Sequence, residues 1–437
     1  MKQAGPSAAY VAAAPVVPGG AAYVGESGLV GTVGEPTDAR VPSLDGLRAV
    51  AIVLVIMHNA GSVQGAFDGI GLRVWGVISN AGWVGVQLFF ALSGFLITRI
   101  LLWGKGEPGW LRSFYVRRLL RIVPLYYAFL LLVFLVAPRV AVLQSLARGG
   151  TAAPGWYWLY LANWSQPFLD GPHGLPHVWS LCVEEQFYLL WPVIIALSSE
   201  RAIAWIAGGT VIGAVVARLG LHAFLPQAVA ASAAYTWTIC RADTIALGAL
   251  VALGLRNRGM NAWMRTHLRT ALVVAAVVAL LALGIQHGFP PEETLGEAVN
   301  QPLAGILSAL VVMACVCGDR TDAQRGRTQV AFQRVLSARW LRSIGKYSYA
   351  IYVLHLPVHI LLSGTFHGMM VRGSGGTRFF AHAGYTALVL GVSYVLALVT
   401  WNLLEQPFLS LKRFFPMPAR QGNIGTRRLG PDHPRRD

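Results

Sequence analysis

Acidic side chains are scarce in this chain: 19 Asp and Glu stand against 35 Lys and Arg in 437 residues, and charged residues of both signs make up only 12% of it. So few charges exclude a soluble globule of this size. The four cysteines, Cys182, Cys240, Cys315 and Cys317, lie in or beside apolar runs with no paired metal-type spacing. They read as small packing residues, not as a disulfide framework or a zinc site. Also missing are a Gly-x-Ser-x-Gly elbow, a P-loop, a His-Glu-x-x-His pair and any histidine followed five residues later by Asp. Serine-nucleophile and metal chemistry therefore have no support, and neither a metal nor a bound cofactor is expected.

What is present is apolar: 55% of residues are hydrophobic and mean hydropathy is +0.54. The fold class expected is all-α, a polytopic membrane bundle. Its helices lie near 44–60, 84–102, 122–137, 181–198, 202–220, 238–255, 270–287, 302–318, 347–363 and 383–404, about ten spans of bilayer length. An even count places both termini on one side. Lys and Arg crowd the segments on that side and leave Arg73, Arg139, Arg148, Arg218, Arg241, Arg372 and Arg378 for the other, with Arg48 and Arg99 at helix ends. The positive-inside rule then orients the bundle N-in and C-in, in a bacterial-type cytoplasmic (inner) membrane. The net charge of +16 follows this topology and not a stacking, basic face, so no nucleic-acid partner is expected.

Residues 1–43, rich in Ala, Gly, Pro and Val, read as a disordered cytosolic tail, 44–410 as the membrane domain, and 411–437 as a basic, lipid-facing cytosolic tail. The aromatic segment 156–164 is too short to span and suits an interfacial or re-entrant piece. No repeat period is evident, which weighs against inverted-repeat carriers.

Intramembrane ionisable residues mark function by default, because each must be partnered or line a wet cavity. The first helix carries Asp45 and Arg48 at its start and His58 and Asn59 deeper. Ten residues place His58 roughly 15 Å further along the axis than Arg48 and about 80° around it, with Asn59 nearly in phase with Arg48. His58 suits either a bond between helices or a general base at depth. Asp45 and Arg48 suit either an N-terminal cap with a snorkelling partner or a cation for a long substrate. Arg117, Arg118 and Arg121 lie within one turn, as positive-inside orientation or as forked donors for a multiply phosphorylated ligand.

The largest anomaly is Glu184 and Glu185, side by side in the run His177-Val-Trp179-Ser180-Leu-Cys-Val-Glu184-Glu185-Gln-Phe-Tyr188-Leu-Leu-Trp-Pro192. Successive residues point about 100° apart, so Ser180, Glu184, Tyr188 and Trp191 form one stripe and Leu181, Glu185 and Leu189 the next. Glu184 is the site-facing carboxylate on this reading, and Glu185 holds helices together. Arg241 and Asp243 read as a structural ion pair.

Together, Leu44-Asp45-Gly46-Leu47-Arg48 with His58, the run from Gly85 through Ser93 to Ile97, Phe114-x-x-Arg117-Arg118-x-x-Arg121-Ile-x-Pro124, the His177 to Tyr188 motif, Ser348-Tyr349 to His355, and Glu405-x-Pro407 resemble the membrane acyltransferase 3 family over roughly residues 42–410. The resemblance implies a ten-helix protein that moves an acyl group, often acetyl, from cytosolic acyl-CoA, a co-substrate and not a bound cofactor, to a hydroxyl of a saccharide or lipid-linked glycan. It carries the essential Arg and His roles onto Arg48 and His58, although the family's spacing points to Asn59, which cannot take a proton. It also carries the cytosolic basic motif onto the Arg117 cluster.

The expected site is therefore His58 as base, oriented by Glu184, with Arg48 and Asp45 near the surface. Arg117, Arg118, Arg121, His177, Trp179, Ser180, Glu185, Tyr188, Asn59 and Ser93 would contact donor and acceptor, the glutamates facing the side opposite the arginines. Partners are acyl-CoA, a saccharide or small-molecule hydroxyl and membrane lipid. Acylation of a glycosylated natural product such as a macrolide, or a non-enzymatic lipid or saccharide carrier, remains the alternative.

Overall fold

The computed structural model describes residues 23–24, 30–31, 41–62, 69–285, 299–318, 327–372 and 374–417. The chain divides into two units, Met1–Arg40 and Val41–Asp437. Within the first, β1 (Tyr23–Val24) pairs antiparallel with β2 (Val30–Gly31). Most of the expected tails, 1–40 and 418–437, lies outside the described residues.

The second unit is helical. It opens with α1 (Pro42–Ala60), where proline occupies the first turn and loses no hydrogen bond there. A short α2 (Ile70–Asn80) turns through a 3₁₀ segment, Ala81–Trp83, into α3 (Val84–Gly104). Next, α4 (Trp110–Leu131) runs on through a π turn, Leu132–Val136, and a 3₁₀ turn, Ala137–Arg139.

Three single-turn helices, α5 (Gln144–Ala147), α6 (Gly155–Trp158) and α7 (Ala162–Ser165), lead to α8 (Val178–Leu197). Then come α9 (Glu200–Phe224), the short α10 (Gln227–Thr236), α11 (Thr238–Arg256), α12 (Arg258–Ile285) and α13 (Gln301–Gly318). The short α14 (Arg327–Leu336) and α15 (Arg339–Lys346) precede α16 (Ser348–Val371) and α17 (Gly375–Thr400). The last elements are a π turn at Trp401–Glu405, α18 (Gln406–Ser410) and a 3₁₀ turn at Leu411–Phe414.

Among the described residues nine helical stretches are long and apolar enough to cross a membrane, and a tenth, Gln301–Cys317, is apolar but shorter. This is the all-α membrane bundle expected, with one span fewer by length. Burial separates inner from outer helices. The apolar windows of Ile70–Gly104 and Gln227–Arg256 are each 67% buried and that of Arg258–Leu280 only 11%, so α3 and α11 form the interior and α12 faces outward.

Close approach of α3 and α11 depends on glycine. A Cβ on Gly94 would collide with the carbonyl oxygen of Ile245, so the small residues of α3 serve helix packing as in other membrane bundles. All four cysteines are buried and unbridged, in keeping with a packing role.

Several elements differ from expectation. Helix α4 begins at Trp110, twelve residues before the apolar run, so the turn that carries Arg117, Arg118 and Arg121 is continuous with the span. Arginine is a good helix former and its long stem can lie along apolar surface, so a drop in hydropathy need not end a helix. Arg218 and Arg241, assigned to outer loops, are buried inside the bundle at 0% and 1% exposure. The aromatic segment is non-spanning and buttresses α4: Tyr126 and Tyr127 donate to the carbonyls of Tyr157 and Trp158 at 2.8 and 2.9 Å, and the rings of Tyr126 and Tyr160 stack at 4.2 Å. Instead of trailing away, the start of the basic tail folds onto α4, where Arg117 Nη1 donates to the Phe415 carbonyl at 3.3 Å.

Candidate active site

The uninterrupted α1 keeps the phase its sequence dictates, so Arg48 and His58 open into different cavities. The narrower cavity, about 100 Å³, lies among α1, α3, α4, α8 and α16 and gathers Arg48, Ser93, Arg118, Arg121, Ser180, Glu184, Glu185 and Tyr188. The wider one, about 530 Å³, is bounded by His58, Asn59, Trp83, His177, Trp179 and Tyr235. Val86 and Tyr352 line both. They form the wall at which the two spaces meet.

In the narrow cavity three guanidiniums face two carboxylates. Glu184 accepts from Ser93 Oγ at 2.9 Å on one oxygen, and the Tyr188 hydroxyl lies 3.0 Å from the other. The Arg118 guanidinium stands 5.1 Å above the Tyr188 ring. Arg48 Nη1 pairs with Asp45 at 3.0 Å, three residues back on its own helix. Asp45 lines neither cavity, and Arg117 stands outside both. An excess of forked cations around a slender space suits an elongated ligand with a phosphorylated head.

The wide cavity has a different chemistry. His58 Nδ1 lies 3.2 Å from the Ser79 carbonyl oxygen. A carbonyl can only accept, so Nδ1 carries the proton and the basic lone pair is on Nε2. His177 follows the same rule, with Nε2 donating to the Val353 carbonyl at 3.1 Å. Burial and the neighbouring His355 push the His177 pKa well down, which keeps that ring neutral. Gly82 lets the turn before α3 press against α1: a Cβ there would meet the Leu54 carbonyl and stand 3.0 Å from His58 Cβ. The aromatic walls, Trp83, Trp179 and Tyr235, suit the apolar faces of a sugar ring.

The shared wall is anchored from both sides. The Tyr352 hydroxyl is 2.5 Å from Ser180 Oγ and donates to the His177 carbonyl at 3.1 Å. Its ring packs edge-on to Phe89 with centroids 6.1 Å apart.

Four expectations are corrected. Glu184 does not orient His58; it bonds Ser93 and Tyr188 in the other cavity. Glu185 is not set apart to hold helices together, since it lines the narrow cavity beside Glu184. The glutamates do not face the side opposite the arginines; six residues of α8 carry the chain past the shared wall to Arg118 and Arg121. Asp243 pairs with Arg218 at 2.7 Å and not with Arg241. Val86, Tyr235 and Tyr352, which line these cavities, carry no assigned site role in the sequence. A tyrosine on the same helix as His355 was the one available signal.

A family model described as an acyltransferase domain matches residues 41–400. The chain belongs to this acyltransferase family. Among curated relatives, the peptidoglycan O-acetyltransferase OatA of Listeria monocytogenes is 27% identical over 336 residues, 73% of this chain and 49% of that protein. The O-acetyltransferase OatA of Staphylococcus aureus is 27% identical over 397 residues, 88% of this chain and 60% of that protein. The chain thus spans about half to three fifths of the length of these relatives. No solved structure matches it.

Proposed function

We propose that this family member transfers an acyl group, acetyl by preference, from cytosolic acyl-CoA to a hydroxyl of a cell-envelope saccharide. The observation that carries this reading is the pair of cavities meeting at Val86 and Tyr352, one rich in arginine and the other lined by histidine and aromatic rings. The family membership and the O-acetyltransferase names of the relatives support the same class of reaction and acceptor.

The narrow cavity has room for a thread such as a pantetheine arm. The phosphates of the donor would sit at its mouth, between Arg118 and Arg121 in its lining and Arg117 outside it. Arg48 and the Ser93–Glu184–Tyr188 cluster would line the arm's path. In the wide cavity His58 Nε2 would take the proton from the acceptor hydroxyl as its oxygen attacks the acyl carbonyl carbon. The thiolate of CoA leaves and recovers that proton, so the reaction balances without a metal or a covalent cofactor. Histidine is the side chain whose chemistry suits general-base work near neutral pH. Asn59 and His177 would hold the acceptor's other hydroxyls, and Trp179 its ring face.

The full chain, purified in detergent and given radiolabelled acetyl-CoA, tests this. Label should move to an added saccharide, and free thiol should appear only when the acceptor is present. A protein that binds saccharide but releases no CoA would be a carrier, and the proposal would fail.

A further inference from the structure

Arg241 is 1% exposed, and none of its three guanidinium nitrogens makes a hydrogen bond among the described residues. Every other requirement for burying a charge is met nearby and denied to it. Asp243, two residues on, gives one oxygen to Arg218 Nη2 at 2.7 Å and the other to the backbone N–H of Thr244 at 2.7 Å. Arg218 also donates to the Cys240 carbonyl and, at 3.4 Å, to Gln301. Two guanidiniums thus share one carboxylate, and Arg218 holds it.

What faces Arg241 is aromatic. Its guanidinium carbon stands 5.8, 5.2 and 5.1 Å from the ring centroids of Phe90, Trp179 and Tyr235. Phe90 lines the narrow cavity, Trp179 and Tyr235 the wide one, and Phe90 and Trp179 meet edge to face at 6.1 Å. The cation therefore sits behind a layer of rings, one of which lines the narrow cavity and two the wide one, next to where the two spaces meet. Ring faces repay part of its desolvation, yet five N–H donors remain unused. A buried charge so poorly paired lowers stability, and its retention within the bundle points to work done on a ligand.

We propose that Arg241 is a positioning residue for the transfer step, a fixed positive charge that favours negative charge where the two spaces meet. The inference rests on the acyl-transfer reading. When the acceptor oxygen bonds to the acyl carbon, the carbonyl π pair moves to the carbonyl oxygen and a tetrahedral oxyanion forms. It collapses as the C–S bond breaks and the thiolate departs. In a site of low dielectric, a cation behind one layer of rings stabilises that oxyanion without touching it. The same charge holds Trp179 and Tyr235 face-on, which fixes the wall against which the acceptor lies.

Arg241→Met, Arg241→Lys and Arg218→Met in the purified full chain test this, by thermal unfolding and by steady-state kinetics with acetyl-CoA and a saccharide acceptor. Arg241→Met should unfold at the wild-type temperature or above it, because an ill-paired buried charge is gone. Its kcat should fall by about 100-fold, the scale of a lost electrostatic contribution to an oxyanion, with both KM values little changed. Arg241→Lys should recover part of that loss. Arg218→Met, which strands Asp243, should unfold at a lower temperature. An Arg241→Met protein with wild-type kcat, one whose loss of activity tracks a lower unfolding temperature, or a lysine variant no better than methionine would overturn the inference while leaving the acyl-transfer reading intact. A wild-type protein that moves no label from acetyl-CoA would overturn both.

Discussion

Charged side chains in this protein divide by how they are compensated. Arg218 and Asp243, at 0% and 2% side-chain exposure, bond each other at 2.7 Å. Breaking such a pair from one side strands the partner, so Arg218→Met should cost about 3 to 5 kcal/mol of stability, read as a shift in unfolding midpoint. Glu184 is tied to Ser93 and Tyr188 in a space it shares with arginines. The sequence marked Glu184, Arg118 and Arg121 as members of a site, because charges in apolar runs require a reason. It could not reveal which charges meet. A stripe on one helix says nothing about the register of the helix opposite, and so His58 was paired with Glu184 across a wall.

That wall is one residue thick at Tyr352. Tyr352→Ala would join the two cavities and admit water to the donor. Acceptor-independent release of free thiol should therefore rise while transfer to saccharide falls, both followed in one assay with acetyl-CoA. Tyr352→Phe keeps the ring and loses only its two hydroxyl contacts, so the hydrolysis it permits should be smaller.

At the scale of elements, α3 is the member against which α1, α8, α11 and α13 pack. Its position was legible as a long apolar run, and its small residues were legible as contact points. The contact at Gly94 is with backbone, which cannot rotate away. Gly94→Ala should therefore destabilise the protein by about 1 to 3 kcal/mol, the usual cost of overpacking, measurable as earlier thermal unfolding in detergent. Less legible were α2, at eleven residues too short to register as a span, and the first three turns of α4, whose basic and polar residues lower the local hydropathy. With α4 begun at Trp110, the helical turn that carries these arginines is continuous with the apolar span that follows. Arg241 was misjudged for a related reason. Proximity in sequence to Asp243 suggested a pair, whereas α9, packed against α11, supplies Asp243 with Arg218 instead.

For the whole molecule, the bundle places a basic entrance and a histidine-lined chamber end to end along α1, with Arg48 near its start and His58 near its finish. We propose, from the positive-inside rule, that the arginine end faces the cytosol. A cysteine placed at either terminus of an otherwise cysteine-free variant should then react with a membrane-impermeant maleimide only in inverted vesicles; labelling in right-side-out vesicles would reverse the proposed direction of transfer.

If acyl groups pass from the arginine cavity to the histidine cavity, the two sets of residues govern different kinetic constants. Steady-state transfer from acetyl-CoA to saccharide by purified wild-type, Arg121→Gln and His58→Ala proteins measures this directly. Arg121→Gln should raise the KM for acetyl-CoA with kcat little changed. His58→Ala should lower kcat by about 100-fold or more at an unaltered donor KM. Turnover that survives His58→Ala while Asn59→Ala abolishes it, or a donor KM indifferent to Arg121, would contradict the account.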